Sequence, residues 1–130
     1  MKIEEALEKI EKSKFRSSFH LNEKDLLYIK EKGLKKIKEH AYDFILKRLA
    51  PKYPENDGAQ TPTKGHPIFK AQHACACCCR GCLNKWYKVP MGAELTATQI
   101  TKIVNLLIVW MPCGSETKQF WNGQNPRLWR

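Results

Sequence analysis

The chain has 130 residues, the size of one domain, and its 42% hydrophobic content is enough to fold without a disulfide or metal staple. Lysine and arginine number 23 against 13 aspartates and glutamates, a formal charge of +10 that favours anionic partners: nucleic acid, an acidic protein or a phosphorylated small molecule. The start, MKIEEALEKIEK, lacks the apolar stretch of a secretory signal, and the apolar run Ile103–Met111, broken by Asn105, is too short for a bilayer, so a cytoplasmic protein with reduced thiols is expected.

Ile3, Leu7 and Ile10 recur at helical spacing among glutamates and lysines, predicting a short amphipathic helix over residues 3–12. A linker, 13–21, holds Phe15, Arg16, Phe19 and His20. Asn22 has the chemistry of an N-cap, with Glu23 and Asp25 in the first turn, and the helix it opens stops at Gly33. Leu34, Ile37, Ala41, Phe44, Ile45 and Leu49 form one apolar stripe, predicting a helix from 34 to about 49, where Pro51 ends it.

Residues 51–65, PKYPENDGAQTPTKG, form a long loop in which Asn56-Asp57-Gly58 reads as a turn. Pro67 fits the first position of a further helix carrying the cysteines to about Tyr87. Thr96 and Gln99 form a capping box for a last helix, which Pro112 and Gly114 terminate. The tail from Pro112, with Trp121, Arg127, Trp129 and Arg130, has no helical period. No strand pattern is present, so the expected class is all-α: a small bundle of four to five helices with a 51–65 loop and an irregular C-terminal tail. It divides into an N-terminal helix (1–13), a helical domain (14–111) and the tail (112–130).

Within residues 66–89 lie Cys75, Cys77, Cys78, Cys79 and Cys82. Treated as one helix, Cys75, Cys78, Cys79, Cys82 and Trp86 share a band about 100° wide, while His66, His73, Cys77 and Arg80 lie opposite. Three readings compete. Cysteine packs as a small hydrophobe, so Cys75, Cys79 and Cys82 can be plain core positions. Cys79-Arg80-Gly81-Cys82 is a CxxC unit, and Cys78 lies one turn from Cys82, so either pair can put two sulfurs on one ion, with the other ligands from His73, His66, His20, His40 or Cys113. A CxxC separate from this cluster is absent, as is an HxxxH, and an iron–sulfur cluster suits four thiolates on one helix less well. Lastly, Arg80 and Lys85 would favour a thiolate, with His73 or His66 as base, although the wheel points both imidazoles away from Cys79. His40, on a polar helix edge, reads as a packing residue. His66, between Gly65 and Pro67, can cap the helix or reach toward the cysteines.

The run Phe15-Arg16 to His20, Lys32-Gly33, Lys47-Arg48-Leu49-Ala50-Pro51, Asn56-Asp57-Gly58, Gln60-Thr61-Pro62, Gly65-His66-Pro67, Ala71-Gln72-His73 and Cys78-Cys79-Arg80-Gly81-Cys82-Leu83 resembles the DUF4186 family, a bacterial and phage family of unknown function, over residues 14–111. The resemblance implies a small intracellular domain and no established activity. In the family pattern Thr is usual at Cys75 and Cys77, and His at Tyr87, which narrows the candidate ligands to Cys78, Cys79 and Cys82, with His66 and His73 as imidazole candidates.

The sequence therefore predicts a metal-binding helical domain, with zinc as the ion and a basic surface for nucleic acid or another polyanion, and no membrane. The alternatives are an enzyme whose site gathers the 56–66 loop, His66, His73 and one reactive cysteine, and a structural interaction module with a cysteine-rich core.

Overall fold

The computed structural model describes residues 2–115; the expectations about Trp121, Arg127, Trp129 and Arg130 lie outside them. Among the described residues there are six α-helices and no strand: α1 (Ile3–Lys12), α2 (Glu23–Lys32), α3 (Leu34–Phe44), α4 (Pro67–Ala74), α5 (Arg80–Tyr87) and α6 (Ala97–Cys113). The expected all-α class is what forms. None of these helices is long and apolar enough to cross a membrane.

The spine is α6. The Thr96 hydroxyl accepts from the Gln99 N–H at 3.1 Å while the Gln99 side chain accepts from the Thr96 N–H at 2.8 Å, a reciprocal cap that fixes where the helix starts. Its residues Ile103, Val104 and Leu106–Met111 are all buried, each large aliphatic stabilising the fold by roughly 1.5–3 kcal/mol relative to exposure. Helices α1, α3 and α4 pack against it. The predicted N-cap of α2 is also formed, with Asn22 and Asp25 exchanging hydrogen bonds at 3.0 and 2.9 Å. Gly33, at φ +85°, is the single residue between the end of α2 and the start of α3. The residues just before α2 are tied to the end of α6 where the Leu21 N–H donates to the Gly114 carbonyl at 2.7 Å.

Two expected helices differ. The helix predicted over 34–49 is α-helical to Phe44 and then widens into a π turn, Ile45–Leu49, with the Ala50 N–H bonded to the Ile45 carbonyl at 2.8 Å. The wider turn buries both Ile45 and Leu49 and leaves the Leu49 carbonyl for another donor. The single helix expected across 66–89 is two helices. After Ala74 the Cys77 N–H bonds back to the Gln72 carbonyl at 2.8 Å and the Ala76 N–H to the His73 carbonyl at 3.4 Å, with Ala76 left-handed at φ +57°. This is the Schellman ending of a helix, with alanine where glycine is usual. The Gln72 side chain secures the reversal by donating to the Cys77 carbonyl at 3.1 Å. Gly81, the glycine of the CxxC unit, lies inside α5 and does not break it.

Candidate metal centre

The turn after α4 sends the chain back so that Cys78 precedes α5, Cys79 caps it and Cys82 falls in its first turn. The Cys79 sulfur accepts from the Cys82 N–H at 3.4 Å. The sulfurs of Cys78 and Cys82 are 3.5 Å apart, and all three lie within 4.8 Å of one another. They could hold a metal ion, and among the described residues they are the cluster of His, Cys, Asp and Glu groups able to do so. Cys78 is buried, whereas Cys79 and Cys82 are half-buried, so the cluster opens to solvent on one side. Burial pushes the Cys79 thiol up to about 11, outweighing the Cys82 N–H that favours its thiolate.

Cys75 and Cys77 are elsewhere. Both are fully enclosed in the core, and burial raises both thiols far above the ordinary range. The Cys77 sulfur faces the Cys75 carbonyl at 3.4 Å, and the hydroxyl of the half-buried Tyr87 donates to that same carbonyl. The reading of cysteine as a small hydrophobe fits this pair, including Cys77, which a continuous helix would have put on the polar side.

The cation beside the sulfurs is Arg16, from the 3-10 turn Arg16–Ser18. Its Nη2 donates to the Cys82 sulfur at 3.3 Å, and its Nη1 to the Cys78 sulfur at 3.8 Å and to the His73 carbonyl at 2.6 Å. The guanidinium lies 5.0 Å from the Phe15 ring and 5.6 Å from the Trp86 ring, and Arg16 is only 8% exposed. Burial works against its charge, but the bonds to Cys82 and Cys78 outweigh this and its pKa is raised. The expected thiolate-favouring role of Arg80 and Lys85 is not what forms. Lys85 is exposed. The Arg80 guanidinium turns away, donating to the carbonyls of Leu49, Pro51, Pro90 and Ala93 at 2.7–3.3 Å.

The two imidazole candidates do not converge on the sulfurs. His66 caps α4: its Nδ1 accepts from the Ile68 N–H at 3.0 Å, and its Nε2 meets His40 Nδ1 at 3.0 Å. Tyr28, Phe44 and Phe69 surround its ring. His40, expected to be a packing residue, is the partner in that pair. His73 is closer to the cluster through the chain, but its Nε2 is 2.9 Å from the Thr61 carbonyl and its ring stacks on Phe19. His20 and Cys113 are exposed. The 56–66 loop acts as a brace. Thr61 donates to the Cys78 carbonyl at 2.8 Å, and Asp57 accepts from the Arg80 N–H at 3.1 Å and from Gln60 at 3.0 Å. Arg16 and Thr61 are the site residues that spacing did not reveal, because each reaches the cluster from a distant segment.

A family model described as a domain of unknown function, DUF4186, matches residues 4–112. No solved structure matches the chain.

Proposed function

The chain belongs to the DUF4186 family, whose description assigns no activity, and we propose that it is a small metal-binding domain in which Cys78, Cys79 and Cys82 hold one zinc ion. The observation that carries this reading is the gathering of three sulfurs within 4.8 Å. Two bonds of 2.3 Å at a tetrahedral angle require sulfurs about 3.8 Å apart, close to the Cys78–Cys82 separation of 3.5 Å. An all-sulfur shell favours soft or borderline ions over magnesium or calcium, and zinc needs no redox partner. Metal binding would replace the proton that burial otherwise keeps on Cys79. Three protein ligands leave a fourth position for water or an incoming group on the solvent side, where Cys79 and Cys82 are half-buried.

Elemental analysis of the purified protein tests this reading. One equivalent of zinc per chain, lost in Cys82→Ser, supports it; protein without metal after growth and purification in zinc overturns it.

The formal charge of +10 supports an anionic partner, with nucleic acid proposed first. A mobility shift with generic DNA or RNA that weakens steeply with salt is the expected result. No shift at low salt removes this part of the proposal.

A further inference from the structure

We propose that Arg16 is a positioning residue of the sulfur centre: its guanidinium orients Cys78 and Cys82 and offsets the negative charge that three thiolates leave on a divalent ion. The inference rests on the metal-binding reading above and adds a residue to it from outside the cysteine segment. Three thiolates and a divalent ion sum to one negative charge, in a site whose first sulfur, Cys78, is buried. Arg16 supplies one positive charge at hydrogen-bonding distance from two of the three sulfurs, so the centre closes to neutrality with an uncharged fourth ligand such as water.

Its placement is held from several sides. The Arg16 N–H is anchored on the Ser13 hydroxyl at 3.1 Å, its Nη1 is held by the His73 carbonyl, and its guanidinium lies 5.0 Å from the Phe15 ring and 5.6 Å from the Trp86 ring. A guanidinium suits this task because its fork of donors is rigid and its charge does not titrate away. The other cation next to the cysteines in sequence, Arg80, is occupied by four carbonyls. Hydrogen bonds to a bound sulfur draw electron density from it, fix its lone-pair direction and shift the energy of sulfur-to-metal charge transfer.

The test uses the full chain as wild type, Arg16→Met and Arg16→Lys, with circular dichroism to establish folding. Zinc affinity is read by chelator competition, and cobalt(II) substitution gives the energy of the sulfur-to-cobalt band. Arg16→Met should bind zinc roughly 10- to 100-fold more weakly and move the band to lower energy, with Arg16→Lys between the two. Wild-type affinity with an unmoved band in Arg16→Met overturns the proposal. So does weaker affinity with an unmoved band, the result that lost packing alone would give. If Arg16→Met does not fold, Arg16→Lys decides by the same band. Failure of the wild type to take up zinc or cobalt sinks the metal reading itself, which separates the two failures.

Discussion

Arg16 and Cys82 are 66 positions apart, yet the guanidinium Nη2 of one donates to the sulfur of the other at 3.3 Å. The bond joins the 3-10 turn after α1 to the first turn of α5. The cysteine cluster is therefore a tertiary assembly: Arg16 approaches it from one side, and Thr61, from the long loop, holds the Cys78 carbonyl from another. Four consequences can be measured.

The two classes of cysteine should separate. Cys75→Ser puts a hydroxyl into a fully enclosed site and should cost about 1–3 kcal/mol of stability, while leaving zinc stoichiometry near one. Cys82→Ser should lower the zinc content sharply and leave the stability of the metal-free protein almost unchanged. Thermal unfolding in chelator, set beside metal content, checks both. Equal metal loss in the two variants would contradict the division.

Arg80 is a clamp for two loops. Arg80→Met leaves four inward-facing carbonyls, of Leu49, Pro51, Pro90 and Ala93, without their donor. The expected loss is roughly 3 kcal/mol or more, read as a fall in the urea midpoint. A change below about 1 kcal/mol would show that water replaces the guanidinium and that the clamp matters little.

The left-handed Ala76 sets the sulfur geometry. A β-branched side chain is strained at φ +57°, so Ala76→Val should cost about 2 kcal/mol or more. It should also weaken zinc binding, although every ligand remains. Wild-type affinity in a folded Ala76→Val protein would mean that the turn is not what brings the sulfurs together.

His66 makes stability depend on pH. Burial, and then the neighbouring His40, lower its pKa from 6.5 to about 4. Between those values the unfolded chain binds more protons than the folded one, so stability is full above pH 6.5 and falls as the pH drops toward 4. His66→Asn keeps an N-cap acceptor and removes the titration. Urea midpoints on either side of the window should differ in the wild type and differ less in His66→Asn. Equal slopes would assign the acid sensitivity to other groups.

Much of this molecule is legible in its residue order. Asn22 with Asp25 and Thr96 with Gln99 announce their helix starts because capping is local chemistry. The CxxC spacing marks Cys79 and Cys82, which share one helical turn, but the same spacing between Cys75 and Cys78 is broken by the left-handed Ala76 and Cys75 is buried in the core. The break between α4 and α5 is not legible, since its left-handed residue is alanine and nothing local distinguishes Ala76 from a helical alanine. That one turn reverses the assignments around it: Cys77 goes inward, and the Arg80 side chain points to loop carbonyls instead of thiols. His66 was ambiguous between cap and ligand, and the Ile68 N–H and His40 decide for the cap. Arg16 carries no local signal at all, because its partners are brought to it only by packing.

The most direct measurement is zinc-edge X-ray absorption on the loaded protein. The account predicts three sulfurs at about 2.3 Å and one lighter atom near 2.0 Å, with the sulfur count falling by one in Cys78→Ser. A shell dominated by nitrogen and oxygen, or one unchanged by that substitution, would contradict the claim that these three thiolates meet on a single ion.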